Sequence, residues 1–390
     1  MLLTILSCNY GGGHRRVGEA LAAEWEARTG GRAEIVDYFA RFVHPVFDAV
    51  TKFSYIQSVR RAPMMYGIFY KATGEIRPDS LVQRAINRMG LERLDRYLRA
   101  ERPDVVCCVH CTPAGTMSDL KIAGRTDVPC LTMITDFVTH SQWIHPRVEQ
   151  YCVPAVSVRQ GLMSRGIPGE RIAVTGIPIE RKFLRPLDRA ALMRRFDLAP
   201  DRPVVLVMAG AYAMLGGVGD VTRVLADFPR PLQGLIVCGY DRRLTDQVRA
   251  RTARSPHAFR AFGYVDNVEE LMAASDLLIT KAGGVTVSEA MVMRLPMLIY
   301  RPIPGQEEEN CEYLLEHGVA LAPKSPEMLR TMLDDLLAHP ARLEAMRQAA
   351  VGLARPRAAE QVVDLLARLA SGAGAGTIPQ RTFASSTPTH

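Results

Sequence analysis

Short runs of β-branched and other apolar residues alternate with longer amphipathic stretches along nearly all of the 390-residue chain. That alternation excludes an all-helical or all-β fold and predicts helices layered on parallel sheets. In the first half the predicted strands are Leu2–Ser7, Ala33–Val36, Val105–Val109, Cys130–Thr135 and Gln150–Val153. In the second half they are Val204–Ala209, Gly234–Cys238, Phe259–Phe262, Leu277–Thr280 and Met297–Tyr300. Between the halves, "TGIPIERKFLRP" (Thr175 to Pro186) has the Gly and Pro content of a connection. Two Rossmann-like α/β domains in tandem follow, with the ligand between them at the carboxyl ends of the strands. The expected division is 1–180, 181–370 and a Gly/Ser/Thr/Pro-rich disordered tail, 371–390.

The net charge of +7 is concentrated. Arg41 to Arg99 holds eleven Lys or Arg against five Asp or Glu. Overlapping it, Phe39 to Gly74 interleaves aromatics, Met and basic residues, a composition that suits an anionic membrane surface. A core helix pair with a basic outer face is the alternative. No nucleic-acid-binding signature accompanies the basic residues, so nucleic acid is not an expected partner. The eight cysteines lie mostly in apolar runs, as buried thiols of a reducing compartment do. "CVHC" (Cys108 to Cys111) has metal-like spacing without a second pair downstream, so no metal site is expected there. Met1 leads directly into a strand pattern with no leader-like segment. The longest uncharged run, Val204 to Gly219, is broken by four glycines and is too short to span a bilayer. The expectation is a cytoplasmic protein that meets a membrane only at its surface, on the inner face.

The most specific stretch runs from Gly263 to Asn310: strand, Gly pair, helix, strand, then an acidic-amide loop, "GQEEEN". Gly283 and Gly284 let backbone N–H groups approach an anion, and the helix that follows directs its positive end there. Thr286 and Ser288 add hydroxyl donors, and Glu289 is suited to a ribose diol. "VMAGAYAMLGGVGDVTRVL" (Val207 to Leu225) repeats the strand, small-residue loop and helix pattern around Gly210 and offers a second dipole to a diphosphate.

The "K-x-G-G-x-T-x-x-E-A" pattern and the "P-G-Q-E-x-E-N" loop resemble glycosyltransferase family 28, and within it the diacylglycerol glycosyltransferases. The resemblance implies a GT-B fold, with two Rossmann-like domains facing across a cleft and a UDP-sugar held mainly by the C-terminal one. It further implies that Glu289 binds the ribose, that Gln306, Glu307 and Asn310 face the donor sugar, and that Phe262 to Val265 lie near the uracil. Ala211 to Leu215 carries Tyr and Met, a departure from the Gly-rich form of that loop elsewhere in the family. No Asp-x-Asp occurs in the chain. Helix termini and cations rather than a metal are therefore expected to neutralise departing UDP, with no cofactor required.

"GGGHRR" (Gly11 to Arg16) lacks the continuation of a dinucleotide loop and the Lys-Ser/Thr of a P-loop. It resembles the family's "G-G-G-H" element, which implies acceptor clearance by Gly12 and Gly13 and a general-base role for His14. "ITDFVTHSQWIHP" (Ile134 to Pro146) is similar to the "T-D-x-x-x-x-H-x-x-W" segment of the diacylglycerol enzymes. There Asp136 is a candidate to orient the base or bind the acceptor, and His140, Trp143 and His145 are candidates to line it. His110 is a weaker candidate, readable as a cleft histidine satisfied by its neighbours.

Together these readings predict an inverting transferase moving glucose, or galactose, from a UDP-sugar to diacylglycerol. The rival expectations are transfer to another lipid-linked acceptor, of the peptidoglycan type, and a non-catalytic nucleotide-sugar sensor on the same fold.

Overall fold

A computed structural model describes residues 1–8, 12–61, 63–74, 80, 85 and 87–372. Gly11 and residues 373–390 of the expected tail lie outside the described residues, as do the side chains of Arg60, Arg61 and Lys71 in the basic segment.

The first half comprises β1 (Leu2–Ser7), α1 (Gly13–Thr29), β2 (Arg32–Asp37), α2 (Pro45–Arg61), α3 (Pro63–Gly74) and α4 (Leu91–Glu101). It continues with β3 (Val105–Cys108), α5 (Cys111–Ile122), β4 (Cys130–Met133), β5 (Gln150–Val153), α6 (Val156–Met163) and β6 (Ile172–Val174). The second half comprises α7 (Arg189–Arg195), β7 (Val204–Met208), α8 (Val218–Ala226), β8 (Gln233–Val237), α9 (Arg242–Thr252) and β9 (Ala258–Phe262). After these come α10 (Val268–Ala274), β10 (Leu277–Thr280), α11 (Gly284–Val292), β11 (Met297–Ile299), α12 (Gln306–Glu316) and β12 (Ala320–Leu321). Three helices close the chain: α13 (Pro326–Ala338), α14 (Pro340–Leu353) and α15 (Ala358–Ala370).

Two six-stranded sheets result, ordered β2-β1-β3-β4-β5-β6 and β12-β11-β10-β7-β8-β9. Every pairing is parallel, as in Ile5 opposite Cys107 and Ile279 opposite Val207. Helices cover both faces of such a sheet, so central strands are apolar throughout rather than alternating. Val204–Met208 is buried at all five positions, as is Gln233–Val237. The expected α/β class and the two Rossmann-like halves are what the chain forms.

The strand order decides where a ligand can bind. In the first sheet the chain leaves β1 for β2 on one side and returns as β3 on the other. In the second it leaves β7 for β8 and returns as β10. A crevice opens at each such reversal, beyond the carboxyl ends of the strands. The β1/β3 crevice is edged by the start of α1 and the start of α5, and the β7/β10 crevice by the Gly210 loop and the start of α11.

Two differences from the sequence reading matter for the site. "GQEEEN" is not a loop: Gln306 to Asn310 form the first turns of α12. Glu307, Glu308 and Glu309 sit in the first turn, where negative charge complements the helix dipole. Glu308 also reaches back to accept from the Gly305 N–H at 3.1 Å. Residues that read as a polar loop are thus helix-start residues. Secondly, α15 crosses back onto the first half. Arg28 of α1 pairs with Asp364 at 2.7 Å, and Val362, Val363 and Leu366 are buried in the core shared with β1 and β3.

Candidate active site

The two crevices face one another and form a single cleft. Its walls include Gly12, Gly13, His14, Thr135 and Asp136 from the first half, and Gly210, Val265, Lys281, Gly283, Gly284, Thr286, Gln306 and Glu307 from the second. Gly12, at φ 87°, takes a left-handed conformation that a side chain would strain. A Cβ on Gly284 would lie 2.0 Å from the carbonyl oxygen of Thr135, so only glycine lets α11 approach the first half this closely.

His14 occupies the first turn of α1. Its Nδ1 is 3.4 Å from Thr135 Oγ1, and its ring also hydrogen-bonds the Val109 backbone. The ring meets that of His110 edge-on, with centroids 5.3 Å apart. Burial lowers the His14 imidazole to about 4, opposed by the Val109 bond, so the ring is neutral at pH 7 and able to accept a proton. His110 caps α5, its Nδ1 accepting from the Thr112 N–H at 3.2 Å. Burial and then the neighbouring His14 lower it to about 3.

Asp136 follows β4 and bonds to Asn310 rather than to His14. Asn310 Nδ2 donates to Asp136 Oδ1 at 3.1 Å and to the Ala282 carbonyl at 2.9 Å. Asn310 Oδ1 accepts from the Phe137 N–H at 2.7 Å. Asn310 is therefore fully buried and committed at both ends of its amide to joining the two halves. Burial raises Asp136 to about 6, with the Asn310 bond opposing, Glu307 reinforcing and Lys281 opposing.

Lys281, directly after β10, opens the "K-x-G-G" pattern, and its place at the cleft shows only in the fold. It pairs with Glu307, whose other oxygen accepts from the Ile303 N–H at 3.1 Å. That leaves a cation beside the N-terminus of α11, where an anion would lie. Gln306 lines the cleft with its Oε1 accepting from Tyr66 Oη at 3.2 Å.

Glu289 and Arg16 form a second cross-cleft pair, 3.6 Å apart, the carboxylate being almost wholly buried. Burial raises Glu289 to about 7, only partly offset by Arg16. Arg16 is the wall residue here, and Glu289 lies beneath it. The remaining candidates divide. Thr286 and Val265 reach the cleft, with Tyr264 beside Val265 stacked on Tyr240 at 4.3 Å. Phe262 turns toward Phe196, ring centroids 6.2 Å apart, rather than into the cleft. His140 and Trp143 are buried behind the wall: His140 Nε2 contacts the Tyr70 carbonyl at 3.2 Å, and the Trp143 ring faces His110 at 6.4 Å. His145 is buried near Tyr151, whose hydroxyl accepts from the His145 N–H at 2.9 Å. Ser288 bonds the Gly284 carbonyl within α11. The eight cysteines form no disulfide; Cys108 Sγ lies 3.6 Å from Cys130 Sγ, inside the sheet and away from the rest of "CVHC".

Two doubly wound domains sharing a cleft between facing switch points define the GT-B class of glycosyltransferase fold. Residues 14–179 match the family model of monogalactosyldiacylglycerol synthase, and residues 205–362 that of the glycosyltransferase family 28 C-terminal domain. A processive diacylglycerol beta-glucosyltransferase of Bacillus cereus (strain AH187) is 31% identical over 93% of this chain and 92% of its own length. Among solved structures, MurG of Acinetobacter baumannii is 18% identical with a TM-score of 0.62, covering 94% of this chain and 99% of that one. Anabaena Alr3699/HepE, solved in complex with UDP-glucose, is 14% identical with a TM-score of 0.58, covering 95% and 100%. The chain belongs to the diacylglycerol glycosyltransferases of glycosyltransferase family 28.

Proposed function

We propose that the protein transfers glucose from UDP-glucose to the free hydroxyl of diacylglycerol, with inversion at the anomeric carbon. The observation that carries this reading is the shared cleft. An imidazole at the β1/β3 crevice faces a glycine-flanked helix start and a lysine at the β7/β10 crevice. The Bacillus cereus relative's name supports glucose and diacylglycerol, and the Anabaena structure with UDP-glucose supports the donor.

In this reading His14 takes the acceptor hydroxyl proton as the oxygen attacks the anomeric carbon, and the bond to the UDP oxygen breaks. The amides of Gly283 and Gly284, the α11 dipole and Lys281 stabilise the diphosphate as charge develops on it, without need of a metal. The diphosphate in turn favours a protonated imidazole, raising His14 from its low value when the donor is bound. Glu289 accepts from the ribose hydroxyls once Arg16 turns aside to the phosphates. Asp136, held by Asn310, borders the acceptor hydroxyl, and Gln306 and Glu307 border the sugar.

The acceptor is a membrane lipid, and among the described residues no helix is long and apolar enough to cross a membrane. Val46, Val50 and Phe53 lie along one face of α2 and are 56–64% exposed, and Met64, Met65 and Ile68 on α3 are 67–78% exposed. Apolar side chains this exposed, in a segment rich in Arg and Lys, suit the anionic inner surface of the cell membrane. The test is incubation with radiolabelled UDP-glucose or UDP-galactose, diacylglycerol vesicles and EDTA. Labelled lipid from UDP-glucose is the expected result. Label from neither donor, with donor binding intact, contradicts the reading and favours a sensor; label only from UDP-galactose corrects the sugar.

A further inference from the structure

Cys8, directly after β1, converges with His14 and His110. One ligand atom from each, a sulfur and two ring nitrogens, lies within 4.8 Å of both others. The three arrive from separate places: the residue after β1, the first turn of α1 and the N-cap of α5. We propose that this cluster is a zinc-binding site whose occupation switches off the transfer reaction by taking the His14 lone pair; the inhibitory part rests on the assignment of His14 as base.

The donor set is chemically selective. One thiolate and two imidazoles match a borderline-soft ion such as Zn²⁺ and suit Mg²⁺ or Ca²⁺ poorly, since both prefer oxygen. Three protein ligands leave a fourth tetrahedral position for water from the cleft. Bonds of about 2.3 Å to sulfur and 2.0 Å to nitrogen put ligand atoms roughly 3.3–3.5 Å apart, so a pair at the 4.8 Å limit closes by about 1.5 Å at most on binding. A neutral imidazole has one lone pair, so zinc binding at His110 gives up the bond that its Nδ1 accepts from the Thr112 N–H, while His14 Nδ1 lies 3.4 Å from Thr135 Oγ1. Coordination replaces the thiol proton of Cys8, which passes to solvent, and forms a sulfur–zinc bond without any change of oxidation state. The imidazole so occupied has no lone pair for the acceptor proton.

The experiment uses the full chain freed of metal, with Zn²⁺ titrated into the transfer assay and Co²⁺ titrated separately as a spectroscopic probe. The expected results are inhibition reversed fully by EDTA, and a thiolate-to-cobalt charge-transfer band in the near ultraviolet. Cys8→Ala is expected to keep basal turnover, lose the band and need at least about tenfold more zinc for half-inhibition; Cys8→Ser, which keeps the volume, serves if alanine perturbs folding. No cobalt–thiolate band in the parent protein, unchanged zinc sensitivity in both variants, or activity abolished by EDTA overturns the proposal. The cobalt spectrum decides the site even if no transfer activity is found, so its failure is separable from failure of the functional reading.

Discussion

Glu289 is a carboxyl group placed where water solvates it poorly, and Arg16, with a smaller contribution from Lys182, compensates only in part. Its usual value is 4.5, and in the folded protein it is raised to about 7. Between these values the folded state keeps a proton that the unfolded chain has released, so the group's contribution to stability is intact below pH 4.5 and lost as pH rises through about 7. Glu289→Gln removes that loss. The variant is expected to gain up to about 3 kcal/mol at pH 8 and almost nothing at pH 4.5, read from urea unfolding at both values. An equal gain at the two pH values would contradict the account. The same substitution weakens the donor, because ribose hydroxyls bind a carboxylate more strongly than an amide. KM for UDP-glucose should rise about tenfold, and in the parent protein it should fall as pH passes upward through 7.

At the scale of elements, α11 is built to lie against the first half. Gly284→Ala puts a methyl group into the Thr135 carbonyl, so the helix must retreat. A loss of about 1–3 kcal/mol and a fall in turnover are expected from thermal unfolding and the transfer assay. The exposed apolar faces of α2 and α3 carry the proposed contact with the membrane surface. Replacing Phe53, Met65 and Ile68 by Ser, Gln and Asn is expected to leave the melting temperature unchanged and to reduce sedimentation with anionic vesicles several-fold. Undiminished vesicle binding removes the membrane role of these helices. Most elements were legible in the sequence, since uniformly apolar runs such as Val204–Met208 are the mark of strands buried on both faces. The edge strands β6 and β12 were not, because three and two residues carry too little periodicity to stand out. The start of α12 was misread because three successive glutamates look like a solvated loop until their placement at a helix dipole is known. Gly283 and Gly284 stand out in the local pattern, whereas His14 is marked only through the resemblance of "GGGHRR" to the family's "G-G-G-H" element. The roles of Arg16 and Asn310 and the convergence of Cys8 on His110 were not, since each depends on residues brought together only by folding.

For the whole molecule, the cleft is held by contacts that cross it. Asn310 joins Asp136 and Phe137 to Ala282, Arg16 reaches Glu289, and α15 returns to α1. Asn310→Ala leaves the Phe137 N–H and the Ala282 carbonyl without this partner in a buried place. About 2–3 kcal/mol should be lost, with a larger radius of gyration by small-angle scattering as the halves part. Unaltered dimensions and stability would mean that the clasp does not hold the domains. The central claim is that this cleft performs base-assisted displacement at the anomeric carbon. It is tested most directly by transfer from UDP-glucose to diacylglycerol by the parent chain and His14→Ala, with the anomeric configuration of the lipid product read by nuclear magnetic resonance. The account predicts a β-linked glucolipid from the parent and turnover reduced about 10²–10⁴-fold in the variant, with donor affinity within about twofold. An α-linked product, or a His14→Ala variant with near-full turnover, would contradict it.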